Sequence, residues 1–211
     1  MSSVSLIFGI LWLTSGDKPE VNLTYDILVD GLRSGSMTRK VSRLSDNETQ
    51  FTTHANSTVR FLFLTFRYQF NGSEIWSNDK IKSLQGDCND DGTRHHVRFT
   101  STSGYSTLIR NRQQTVLATL PWTTGGCRPP PGEGTYLTLD PDTGAVKQTR
   151  FSKGNPETYL LAGESIRGHA WETDLPGNVR FFFDDTGKLL RQSWHEQGKR
   201  VEIRLASLSE N

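Results

Sequence analysis

Turn signals recur about every ten residues along this chain, and between them short apolar–polar alternations replace one another without a break. Leu23, Tyr25, Ile27 and Val29 alternate with polar neighbours before Asp30-Gly31. Further turns are expected at Asn71-Gly72, Asp90-Asp91-Gly92, Asp140-Pro-Asp-Thr-Gly144, Asp184-Asp-Thr-Gly187 and Gln197-Gly198. Gly, Asn and Asp at these points supply the left-handed backbone that tight hairpins need. From Val21 onward no segment sustains an i, i+3, i+4, i+7 apolar stripe over twelve residues, so long helices are excluded. Composition agrees. The 211 residues hold 23 Thr against 6 Ala, with 11 Phe and 2 Met, a balance that suits pleated surfaces. The expected fold is all-β: an antiparallel up-and-down meander of more than ten strands, curled into a half-barrel or barrel because so many strands do not stay flat.

A length of 211 residues suits one domain, expected over residues 21–205. Lys plus Arg number 24 and Asp plus Glu 23, a net charge of +1 that gives no footprint for nucleic acid. Ahead of the domain, Val4 to Leu13 form an apolar run followed by Thr14-Ser-Gly16. As a helix ten residues rise about 15 Å, too short for a hydrocarbon core of about 30 Å. Residues 1–16 read as a secretory signal, although no Lys or Arg precedes the run, or as a short apolar anchor at a membrane surface. The expected location is periplasmic or extracellular. In that setting the two cysteines, Cys88 and Cys127, are expected to form a disulfide, with two free thiols as the alternative. Sequons at Asn22, Asn47, Asn56 and Asn71 are read as chance matches in a Ser- and Thr-rich chain.

One segment breaks the strand rhythm. Pro121 to Gly134 reads PWTTGGCRPPPGEG, and consecutive prolines cannot donate to a sheet ladder. This loop presents Trp122 and Arg128 as candidate ligand-binding residues, or serves as a structural flap. Phe61 and Phe63, with Trp171 and Phe182, complete the candidate set, as aromatic strand residues that would line an apolar site inside a barrel. Catalytic motifs fail on inspection. No nucleophile elbow, phosphate loop or dinucleotide glycine pattern occurs. Asp87-Cys-Asn89-Asp-Asp91-Gly92 begins like a calcium loop, but its twelfth position is Arg98. His95 and His96 are adjacent in a strand and point to opposite faces. No metal or cofactor is expected.

Tyr25-Asp-Ile-Leu-Val-Asp-Gly31 with Gly35, the Asn89-Asp-Asp-Gly92 turn and Phe181-Phe-Phe-Asp-Asp-Thr-Gly-Lys-Leu-Leu190 resemble an uncharacterised family of exported bacterial β-proteins, known as a domain of unknown function. The resemblance spans about Val21 to Leu205. In architecture that family is similar to periplasmic lipoprotein and lipid carriers, which wrap one antiparallel sheet into an open half-barrel. The resemblance implies an apolar concave face and no catalytic residues, and it carries no functional residue by matching. The Pro-rich, Cys-bearing loop departs from the carrier pattern. The function expected is therefore non-catalytic: an envelope protein that binds an apolar small molecule or lipid, or docks as an accessory subunit on a membrane protein complex. The alternative is an enzyme of hydrolase or cyclase type at the barrel mouth, drawing on His169, Glu172, Arg128 and Trp122.

Overall fold

The computed structural model describes residues 20–61 and 64–210. They form fifteen strands and, among the described residues, no helix. The strands are β1 (Glu20–Val29), β2 (Leu32–Arg43), β3 (Glu48–Phe61), β4 (Leu64–Ser77), β5 (Lys80–Asp90), β6 (Thr93–Ser101), β7 (Ser106–Arg110) and β8 (Gln113–Leu117). They continue with β9 (Trp122–Thr123), β10 (Gly134–Leu139), β11 (Val146–Leu161), β12 (Glu164–Thr173), β13 (Arg180–Asp184), β14 (Leu189–Glu196) and β15 (Lys199–Glu210). All belong to one sheet in the order β8-β7-β6-β5-β4-β3-β2-β1-β15-β14-β13-β12-β11-β10-β9. Every pairing is antiparallel except β9 with β10. Each strand thus pairs with its sequence neighbour, and β1 and β15 join the two ends of the meander.

The sheet stays open, with β8 and β9 as its edges, yet it curls until its far end packs on its own inner face. A Cβ added at Gly86 of β5 would sit 2.3 Å from the Pro141 carbonyl oxygen, in the turn between β10 and β11. A Cβ on Gly144, in the same turn, would lie 3.2 Å from side-chain atoms of Val97 and Arg110. Closure is therefore made by packing and not by a hydrogen-bonded ladder.

Alternation fills the interior as the sequence predicts on β1, where Leu23, Tyr25 and Ile27 are buried. The buried side chains form two clusters. One gathers Tyr25, Met37, Phe70, Cys88, Trp171 and Phe181–Phe183 with Leu205. The other gathers Phe51, Trp76, Ile81, Phe99, Cys127 and Leu139 with their neighbours. Trp122 and Val41 pack against both.

Two expectations are corrected here. Asn71-Gly72 is not a turn. It lies inside β4, and β3 and β4 pair out to Phe61 opposite Leu64. Glycine is needed at position 72 because a Cβ there would lie 2.4 Å from the Phe70 ring, a close approach within a strand. Nor is there a disulfide. Cys88 and Cys127 are both free and buried, and the fold places them in different clusters, one carried by β5 and the other by the loop before β10.

Candidate functional site

The Pro121–Gly134 segment enters the curl instead of projecting from it. Pro121, Thr123, Gly126, Cys127 and Pro130 are buried. Trp122 meets Trp76 edge to face at 4.6 Å between ring centroids. What holds the segment is a charged pair from the sheet. Arg39 of β2 is 3% exposed, and its Nη1 and Nη2 donate to the carbonyls of Gly126 and Gly125 at 2.8 and 2.7 Å. Its Nε donates to Thr53 Oγ1 at 3.1 Å. Glu74 of β4 accepts from Trp76 Nε1 and from Thr123 Oγ1, each at 2.8 Å. Burial pushes the Glu74 carboxyl upward against those two hydrogen bonds and the Arg39 charge. The Cys127 thiol lies beside both, and burial drives it well above its ordinary value, which favours the protonated thiol over the thiolate. Every polar group of this network is directed at another part of the loop or sheet, the pattern of a structural clamp.

A second polar contact pins the turn between β10 and β11. Tyr68 of β4 donates to Asp142 Oδ2 at 2.6 Å. Asp140 shapes the turn by accepting from the Asp142 backbone N–H at 2.9 Å and from Thr143 Oγ1 at 3.0 Å. Burial, then the neighbouring Asp140 charge, raises the Asp142 carboxyl to about 7. Cys88 faces this pair, and burial with the Asp142 charge takes its thiol to about 12.

The residues singled out from the sequence are distributed, not assembled. Trp171 and Phe182 are core residues of the first cluster. Phe182 has the Tyr159 ring at 6.4 Å and the Arg191 guanidinium at 5.7 Å. Arg128 staples the loop outward, donating to Asp79 Oδ1 at 3.0 Å and Thr49 Oγ1 at 3.2 Å. His169 Nε2 lies 3.9 Å from Asp185 Oδ1, and Glu172 lies 3.7 Å from Arg180. The side chain of Phe61, and Phe63 altogether, lie outside the described residues. Among the described residues no group of three or more His, Cys, Asp or Glu side chains is placed to hold a metal ion. Arg39 and Glu74, the residues that organise the interior, were not singled out. Their signal is a charge in the apolar phase of a strand: Met37-x-Arg39-x-Val41 and Gly72-x-Glu74-x-Trp76.

One end of the curl is left without neighbouring strands. β2 accompanies β3 only as far as Ser57, and β5 accompanies β4 only from Tyr68. The Asp91 turn reaches one residue further, its backbone N–H donating to the Arg67 carbonyl at 2.7 Å. Beyond that, β3 and β4 pair with each other alone. This free end carries Val59, exposed Arg60 and Phe66, the last 39% exposed.

Comparison with known proteins places the fold. A family model described as a domain of unknown function, DUF6134, matches residues 25–206. The chain belongs to that family. The match runs from Tyr25 on β1 to Ala206 on β15, so the DUF6134 domain includes the pairing that joins the two chain ends. The fold is similar to the crystal structure of a beta-barrel-like protein of another domain of unknown function, DUF1849, from Brucella abortus. That likeness has a TM-score of 0.65 at 10% identity and covers 92% of this chain and 98% of the other. At such identity it is a likeness of fold alone. No curated protein matches this chain.

Proposed function

We propose that this DUF6134 protein is a non-catalytic envelope protein that docks as an accessory subunit on a membrane-associated partner through the free end of β3 and β4. One observation carries the reading: two strands extend past their neighbours and bear an exposed Phe66 paired with Val59 on one face, with Arg60 and Arg67 on the other. Exposed aromatic residues act as anchors at interfaces, and arginine is enriched there too, so each face of this free end carries a contact-forming side chain. The filled interior supports docking over carriage. The face that an apolar ligand would need is taken up by Trp122, Cys127 and Leu139. Export through residues 4–13, which lie outside the described residues, belongs to the same proposal.

The test is a photo-crosslinking phenylalanine analogue placed at Phe66 in the native host, with the same analogue at Leu160 as control. Leu160 is 70% exposed, on the β11–β12 hairpin. A discrete membrane-fraction adduct formed from position 66 and not from 160 is expected. Equal labelling from both positions, or none from 66, refutes the reading.

A further inference from the structure

The outer faces of β5, β6 and β7 form an open groove of about 530 Å³ whose lining includes Arg94, His96, Arg98 and Arg112 with Asp87 and Gln85. Its charge follows from the pleat. Along β6, Val97 and Phe99 are buried toward the interior, so Arg94, His96 and Arg98 share the outward face, about 7 Å from one to the next. The fourth residue arrives from another element. Asn111 and Arg112 make the turn between β7 and β8 with φ of 45° and 73°. That turn is clipped back to β6 at both backbone groups of one residue: the Asn111 N–H donates to the His96 carbonyl at 2.9 Å, and the His96 N–H donates to Asn111 Oδ1 at 2.8 Å. Arg112 is thereby held beside the outward row of β6.

The charges in the groove are unbalanced. Asp87 is the one carboxylate in its lining, and His96 Nδ1 already engages it at 2.5 Å. Among the described residues, Arg94, Arg98 and Arg112 have neither an ion pair nor a side-chain hydrogen bond to another protein group. Three guanidiniums, each with a planar fork of donors, line one concavity of small-molecule size whose single carboxylate, Asp87, is engaged by His96. Gln85 can add an amide donor, and Ile109 supplies an apolar patch to the lining.

We propose that this groove binds a compact soluble polyanion bearing two or more phosphate groups, with Arg94, Arg98 and Arg112 taking its oxygens. Guanidinium forks select phosphate over a chloride-like point charge because two parallel hydrogen bonds match its geometry. The site is independent of the β3–β4 hairpin, and either can stand without the other.

The test is a titration of the ¹⁵N-labelled full chain with tripolyphosphate, read at the backbone amides of Gly86, Val97 and Ile109. Saturable shifts confined to β5–β7 and their turns are expected. Arg98→Ala with Arg112→Ala should weaken binding at least about tenfold, about 1.4 kcal/mol. Arg98→Lys should recover only part of the loss, since a lysine keeps the charge without the fork. Arg150→Ala, an exposed arginine on β11, should leave the affinity unchanged, and the amide spectrum of each variant reports whether it is folded. Equal weakening by Arg150→Ala, an unchanged affinity in the double variant, or no saturable shift overturns the proposal. So does binding to phosphatidic acid vesicles without any response to tripolyphosphate.

Discussion

Asp142 is an acid whose native environment favours its neutral form, and the consequence can be signed. Its carboxyl is raised to about 7 from an ordinary 3.8, by burial first and by the Asp140 charge second. Between about pH 4 and pH 7 the native state therefore holds more protons at this site than the unfolded chain does. Stability must fall as pH rises through that window, with the cost complete above it. Asp142→Asn removes the charge and keeps an acceptor for Tyr68. At pH 8 the variant should be more stable by about 2 kcal/mol, a melting point higher by about 4–8 °C. The difference should vanish near pH 4, and parallel melting profiles for variant and wild type across pH 4–8 would refute the assignment. Little of this was legible in the sequence, where Asp140-Pro-Asp-Thr-Gly144 reads as a turn and nothing more. The same holds for Arg39 and Glu74, whose in-phase charges only acquire meaning once a distant loop supplies the Gly125 and Gly126 carbonyls and Thr123. Conversely, Trp122 and Arg128 stood out in the sequence because their loop is irregular. Irregular backbone can also plug an interior, provided buried groups satisfy its carbonyls, as Arg39 does.

At the level of elements, glycine-bearing turns were the legible part. Asp30-Gly31, Asp91-Gly92 and Gln197-Gly198 all have positive φ at both positions and connect the strands expected of them. Asn78-Asp79 and Asn111-Arg112 adopt the same conformation without a glycine, so they gave a weaker signal. Asn71-Gly72 has the strongest hairpin dipeptide in the chain, yet it is a strand segment, because aromatic packing and turn formation both demand glycine and the sequence does not say which. Gly86 and Gly198 separate these two demands experimentally. Gly198 has φ of +76° and nothing within 4 Å of an added Cβ, so alanine there meets only backbone strain of about 1 kcal/mol. Gly86 has no such φ, but its added Cβ would strike the Pro141 carbonyl oxygen at 2.3 Å. Alanine there must push the β10–β11 turn off β5, at about 3 kcal/mol. Urea unfolding should rank Gly86→Ala as clearly the more damaging. If the two variants lose the same stability, the turn does not pack on β5 as described.

For the whole molecule, the question is whether so long a meander unfolds as one body. Apart from β8 and β9, the two edges, each strand pairs with its sequence neighbours, and among the described residues sheet hydrogen bonds join the first eight strands to the last seven only where β1 meets β15. On that ground alone the two arcs could open separately, since a sheet held by nearest-neighbour terms has no reason to melt at once. The interior argues otherwise. Cluster membership crosses the arcs: Phe70 and Cys88 from the first half lie with Trp171 and Phe181 from the second, and Cys127 and Leu139 lie with Phe99. Arg39 adds a polar tie from β2 to the loop that leads into β10. The expected behaviour is a single cooperative opening. Phe99 on β6 and Phe182 on β13, in different clusters and opposite arcs, should then show amide exchange with the same opening free energy and the same dependence on denaturant. Arg39→Met sharpens the test by leaving the Gly125 and Gly126 carbonyls buried without their donors, a loss of about 2–4 kcal/mol. If the arcs are one unit, that loss appears equally at Phe99 and Phe182, although Arg39 touches neither cluster's far strands. A drop at Phe99 alone would show that the open sheet behaves as two halves stitched at β1 and β15.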